Sequence, residues 1–165
     1  MSQNSIQPSG LVPDKRTKFL RALCTLSGVN AIYGIISGIT TAISPPDVDD
    51  TFIVNLFEQL EKYELPIADL QDDVKEYYLN LMLDLGNFGA ANFLFFAIQL
   101  IGIFMMYRLN RIGFTLYTVA QIGLAAAPII FGSFNDFGKI TFAITLVWNA
   151  IWVIMYATQI KYFHK

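Results

Sequence analysis

Four stretches of the chain contain no Asp, Glu, Lys or Arg: Ala22 to Pro46, Leu85 to Tyr107, Ile112 to Asn135 and Ile140 to Ile160. They are 25, 23, 24 and 21 residues long. At ~1.5 Å per residue, a helix of any of these lengths exceeds the ~30 Å hydrocarbon core of a bilayer. Inside that core every backbone N–H and C=O must find a partner within the protein, and a chain of 165 residues with these blocks cannot close a barrel, which leaves helices. The predicted fold is therefore all-α, a polytopic bundle of four transmembrane helices spanning about 19–43, 86–107, 112–132 and 140–160. Only 15% of the chain is charged and 55% is hydrophobic, against roughly a quarter charged in soluble domains. That balance excludes a disordered chain, a disulfide scaffold and an ordinary soluble enzyme domain.

The first apolar run is too long for a signal-peptide core and no small-x-small cleavage site follows it, so it reads as a retained span. Residues 1–14 form a short polar leader, expected to be flexible, and 15–165 a single membrane domain. Lys15, Arg16, Lys18 and Arg21 against Asp14 give a net of +3 ahead of the first span. Arg108 and Arg111 lie between the second and third spans, and Lys161 and Lys165 follow the fourth. All three segments fall on one side. On the other side, the loop 44–85 holds eleven acids against Lys62 and Lys75. The positive-inside rule therefore predicts cytoplasmic termini and an extracytoplasmic loop. Tyr107, Tyr117, Tyr156, Tyr162 and Phe163 are expected as interface anchors at the cytoplasmic ends, with Phe131, Phe134 and Phe137 marking the outer end of the last hairpin.

The loop 44–85 is too long for a bare connection. Its apolar positions Ile53, Leu56, Phe57, Leu60 and Tyr63 follow helical spacing, Glu64-Leu65-Pro66 interrupts them, and Ile67, Leu70, Val74, Tyr77, Tyr78, Leu81 and Leu85 form a second stripe. The pattern predicts an amphipathic helical hairpin whose second arm runs into the second span as one long bent helix. Such a hairpin caps the bundle, and Leu56, Phe57, Leu60, Tyr63, Tyr77 and Tyr78 form its candidate partner-docking surface. Asp72, Asp73 and Glu76 read as a solvated charge run, because the glycine-hinged pattern of a Ca²⁺ loop is missing.

The spans themselves carry neutral polar groups only. Asn30, Gln99, Gln121 and Asn149 lie deepest, one per helix, and predict an interhelical polar network. Asn30, Gly34, Gly38 and Ala42 recur every four residues, so Gly34, Gly38 and Ala42 form a ridge that lets another helix approach closely, within the bundle or from a second copy. Pro128 is expected to bend or end the third span.

Several chemistries lack their residues. Small four-span multidrug exporters depend on a Glu in the first helix, and no acid occurs between Arg21 and Asp47. One cysteine, Cys24, cannot supply a thiol pair, and the only histidine, His164, is penultimate. No nucleotide-binding motif occurs, and the basic clusters are too short to engage nucleic acid. No catalytic residue, metal ligand or cofactor is assigned. Tetraspanins and four-span junction proteins carry disulfides in a large outer loop, which this loop cannot form. The architecture as a whole looks more like a small bacterial inner-membrane protein. The expected role is a non-enzymatic accessory or scaffolding subunit, with the lipid bilayer and other membrane subunits as partners and homo-oligomerisation open. The alternative is a small transporter or channel for a neutral or lipophilic solute, using the amides as its lining.

Overall fold

The computed structural model describes residues 17–45, 58 and 70–163. Five α-helices are delimited among the described residues: α1 (Lys18–Ile43), α2 (Gln71–Leu83), α3 (Leu85–Tyr107), α4 (Ile112–Phe131) and α5 (Asp136–Ala157). A 3-10 turn over Ile160–Tyr162 follows, and no strand occurs among the described residues. Helices α1, α3, α4 and the segment Asp136–Tyr162 are each long and apolar enough to cross a membrane. Over its described residues the chain is thus helical, with the four spans of an integral membrane protein by length and composition.

The spans pack in chain order. Helix α1 lies against α3, α3 against α4, and α4 against α5. Glycines set the two tightest of these approaches. A Cβ on Gly38 would stand 2.6 Å from the Phe93 backbone N, and one on Gly89 would stand 2.6 Å from the backbone N of Ala42. Gly34 similarly leaves room for the Phe96 ring. The Gly34, Gly38 and Ala42 ridge is therefore filled by α3 of the same chain. Gly102 and Gly113 repeat the arrangement between α3 and α4, each facing the other's backbone. Without a hydrophobic force between helices in lipid, such close contact supplies the dispersion that holds them together.

The turn joining α3 to α4 is short and places Leu109 at φ 62°. A leucine there is strained by roughly 1–2 kcal/mol. Its side chain packs on the core formed by Leu20, Leu23, Cys24, Ile103, Met106, Tyr117 and Tyr156, which holds the turn in place. That core sits at the end of the bundle where both described termini lie. Thr17 caps α1 by accepting from the Leu20 N–H at 3.0 Å, and its hydroxyl donates to Gln159 Oε1 at 2.8 Å. One residue thus starts α1 and clasps it to the chain beyond α5.

Helix α2 closes the opposite end. It does not run unbroken into α3. Asp84 interrupts the two with φ −106° and ψ 19°, so they are separate helices where one bent helix was expected. The break lets α2 lie over the α4–α5 turn. Asn135 Nδ2 donates to the Asp73 carbonyl at 2.7 Å, and the Asp136 N–H donates to Asp73 Oδ2 at 3.1 Å. Ser133 donates to Glu76 at 3.1 Å. A carboxylate on the first N–H of α5 also complements that helix's dipole. Asn135 itself caps α5, accepting from the Gly138 N–H at 2.9 Å. This capping explains why α5 begins at Asp136 rather than near 140.

Tyr77 is 4% exposed, its ring edge-on to Phe137 at 5.2 Å and seated over Gly132, where a Cβ would collide with it. Burial raises the Tyr77 phenol above its usual pKa, and neighbouring Tyr78 adds to the shift. Tyr78 is half-buried beside the same Phe137. Both tyrosines are thus engaged within the chain. Leu56, Phe57, Leu60 and Tyr63, like residues 1–14, lie outside the described residues.

Candidate functional site

A cleft of about 230 Å³ opens between α1 and α5, two helices that do not pack along their lengths. It lies near the middle of the spans. Ser27 and Asn30 enter from α1, Gln99 from α3, Tyr117 and Gln121 from α4, and Asn149 from α5. Leu26, Trp148 and Trp152 complete its walls. All four deep amides read from the sequence therefore border one space.

They are not equivalent there. Asn149 Nδ2 donates to the Gln121 backbone carbonyl at 3.0 Å, tying α5 to α4. Gln121 is buried beside Tyr117, one helical turn away. Gln99 is 1% exposed, and its Oε1 meets no hydrogen-bond donor among the described residues. Asn30 is exposed at the mouth. The four thus converge without forming a closed amide network.

Ser27 forms the floor with Gln99. It is 3% exposed, and its Oγ adjoins the phenols of Tyr117 and Tyr156 without completing a hydrogen bond. The two tyrosine rings meet at 4.7 Å with an interplanar angle of 57°. Expected as interface anchors, Tyr117 and Tyr156 are instead buried at 1% and 0% exposure. Their mutual stacking and the apolar core around them outweigh the headgroup zone as a destination. Tyr107, by contrast, is exposed at the end of α3.

Sequence reasoning passed over Ser27, Tyr117 and the two tryptophans as lining residues. Spacing held part of the signal: Ser27 precedes Asn30 by three residues and Tyr117 precedes Gln121 by four, so each pair shares a helix face. Trp148 and Trp152 flank Asn149 on α5 and are the only tryptophans in the chain.

The lining contains, among the described residues, no carboxylate, amine, imidazole or thiol. Among the described residues, no three His, Cys, Asp or Glu side chains cluster closely enough to hold a metal ion. Asp73 and Glu76 are occupied by the α4–α5 turn. Cys24 is buried in the core. The arrangement can accept and donate hydrogen bonds and stack against flat or apolar groups. No family model, curated protein or solved structure matches the chain.

Proposed function

We propose that this chain is a non-enzymatic membrane protein that admits a neutral or lipophilic solute into the cleft between α1 and α5. The observation that carries the reading is the convergence of Asn30, Gln99, Gln121 and Asn149 on one mid-span cleft in which the buried Gln99 Oε1 meets no donor. A bundle whose amides served packing alone would have paired them and left no space. The absence of charge from the lining favours an uncharged occupant, because an ion at this depth would need a counter-charge. By the positive-inside rule, the end holding Lys18, Arg21, Arg108, Arg111 and Lys161 faces the cytoplasm and α2 faces outward, as in a bacterial inner membrane.

A second reading, an accessory subunit of a larger membrane complex, draws on α5. Only 11% of the most apolar stretch of Asp136–Tyr162 is buried, against 33%, 22% and 28% for those of α1, α3 and α4. The exposed flank of α5, with Ile144, Val147 and Ile151, would be the surface for a partner helix. Native mass spectrometry after mild-detergent extraction separates the two. A monomer or homo-oligomer carrying a bound small neutral molecule, lost in the Gln99→Leu and Asn149→Leu double variant, supports the solute reading. A stoichiometric hetero-complex with an empty cleft refutes it in favour of the subunit.

A further inference from the structure

The chemistry of the cleft narrows the solute to a class, an inference that rests on the solute reading above. Its volume, about 230 Å³, falls short of the ~300–1,000 Å³ typical of sites that enclose a whole drug-sized ligand. The space suits a small head and leaves the rest of a larger molecule outside. Its mouth lies at the depth of the acyl chains, with Leu26 60% and Trp148 61% exposed at the rim. What enters there comes from the bilayer. A charged headgroup is excluded at this depth by desolvation with no opposing charge in the walls.

The unpaired floor groups specify the head. Gln99 Oε1 is an acceptor with no donor, and Ser27 Oγ, which lines the same cleft, is unpaired. A buried acceptor left unmatched is relieved only by an O–H or N–H, whereas a ligand with acceptors alone would leave it orphaned. We infer that the cleft receives an uncharged long-chain amphiphile whose small head carries an O–H or N–H donor. The head donates to Gln99 Oε1 with Ser27 alongside, and the chain leaves between Leu26 and Trp148 into the lipid. Ethers and esters of the same length, lacking the donor, bind less well.

Because the only tryptophans line the cleft, their fluorescence reports its occupancy without a label. The full chain in phosphatidylcholine nanodiscs is titrated with a terminally brominated long-chain alcohol and, separately, with its methyl ether. Bromine quenches on contact, and the quench from partitioning alone is non-saturable and common to both probes. The expected result is a saturable component for the alcohol, roughly 3- to 20-fold tighter than for the ether, the range of one hydrogen bond in a membrane. Gln99→Leu should lower alcohol affinity to that of the ether. Should that variant fail to fold, the alcohol–ether comparison on the native chain decides alone. Equal saturable binding of both probes, or a preference untouched in folded Gln99→Leu, overturns the donor assignment while leaving the solute reading intact. No saturable quench by either probe overturns both.

Discussion

Replacing Gly38 by alanine tests the close contact on which the first half of the bundle depends. The new Cβ would stand 2.6 Å from the Phe93 N and 2.9 Å from the Gly89 carbonyl, where ordinary contact begins at 3.4 Å. Both neighbours are backbone and cannot rotate away. Helices α1 and α3 must therefore part by about 0.8 Å, and a gap of that size forfeits roughly a quarter to a half of each dispersion contact along the seam. Overpacking of this kind costs about 1–3 kcal/mol, offset by at most ~1 kcal/mol of helix propensity gained from alanine. The net expectation is a loss of about 0–2 kcal/mol, or about 1–3 kcal/mol relative to a glycine with room for the new Cβ. Gly28 supplies the control, since a Cβ there meets nothing within 4 Å, and Gly28→Ala should be neutral or slightly stabilising. Unfolding of both variants in mixed micelles, titrated with SDS and followed by circular dichroism, measures the difference. Adding Gly89→Ala to Gly38→Ala should cost less than the sum of the two, because the first substitution already separates the helices. If Gly38→Ala proves as stable as Gly28→Ala, the α1–α3 contact has been placed wrongly.

Asn135→Ala removes the α5 cap and the hydrogen bond to the Asp73 carbonyl together, and should destabilise by about 1–3 kcal/mol; faster hydrogen exchange confined to α2 and the start of α5 would register it. Tyr156→Phe should leave stability unchanged or raise it by up to ~1 kcal/mol, because the hydroxyl it removes is buried without a partner while the ring contact with Tyr117 is kept; a loss beyond 1 kcal/mol in the same micelle titration would show that the hydroxyl does have a partner.

The spans were legible because a helix that crosses lipid must exclude charge over its whole length, and the gaps between Lys, Arg, Asp and Glu record that directly. The presence of helical structure just before the second span was legible from the Val74, Tyr77, Tyr78 stripe. Its break at Asp84 was not, since neither Gly nor Pro marks it and the cause is tertiary: α2 turns to reach Asn135 and Asp136. Tyr117 and Tyr156 illustrate the same limit from the other side. Composition places tyrosine at a membrane interface, while the partner that draws both rings inward sits 39 residues away in the chain. The amides were visible one at a time, at matching depth. That they surround a space rather than one another depends on which pair of spans fails to meet, a property of helix order that single-residue polarity does not encode.

Packing in chain order also dictates how the molecule is made. Each of the first three spans packs against the next span to leave the ribosome, so α1, α3 and α4 can associate before α5 is made. The contacts that draw α1 toward the other edge, Thr17 with Gln159 and the Leu20–Cys24 turn with Tyr156, wait until residues 156–159 have been made. The cleft therefore takes shape only after the three earlier spans have paired, and a protein stalled before α5 emerges would carry those spans and lack the wall that Trp148, Asn149 and Trp152 supply.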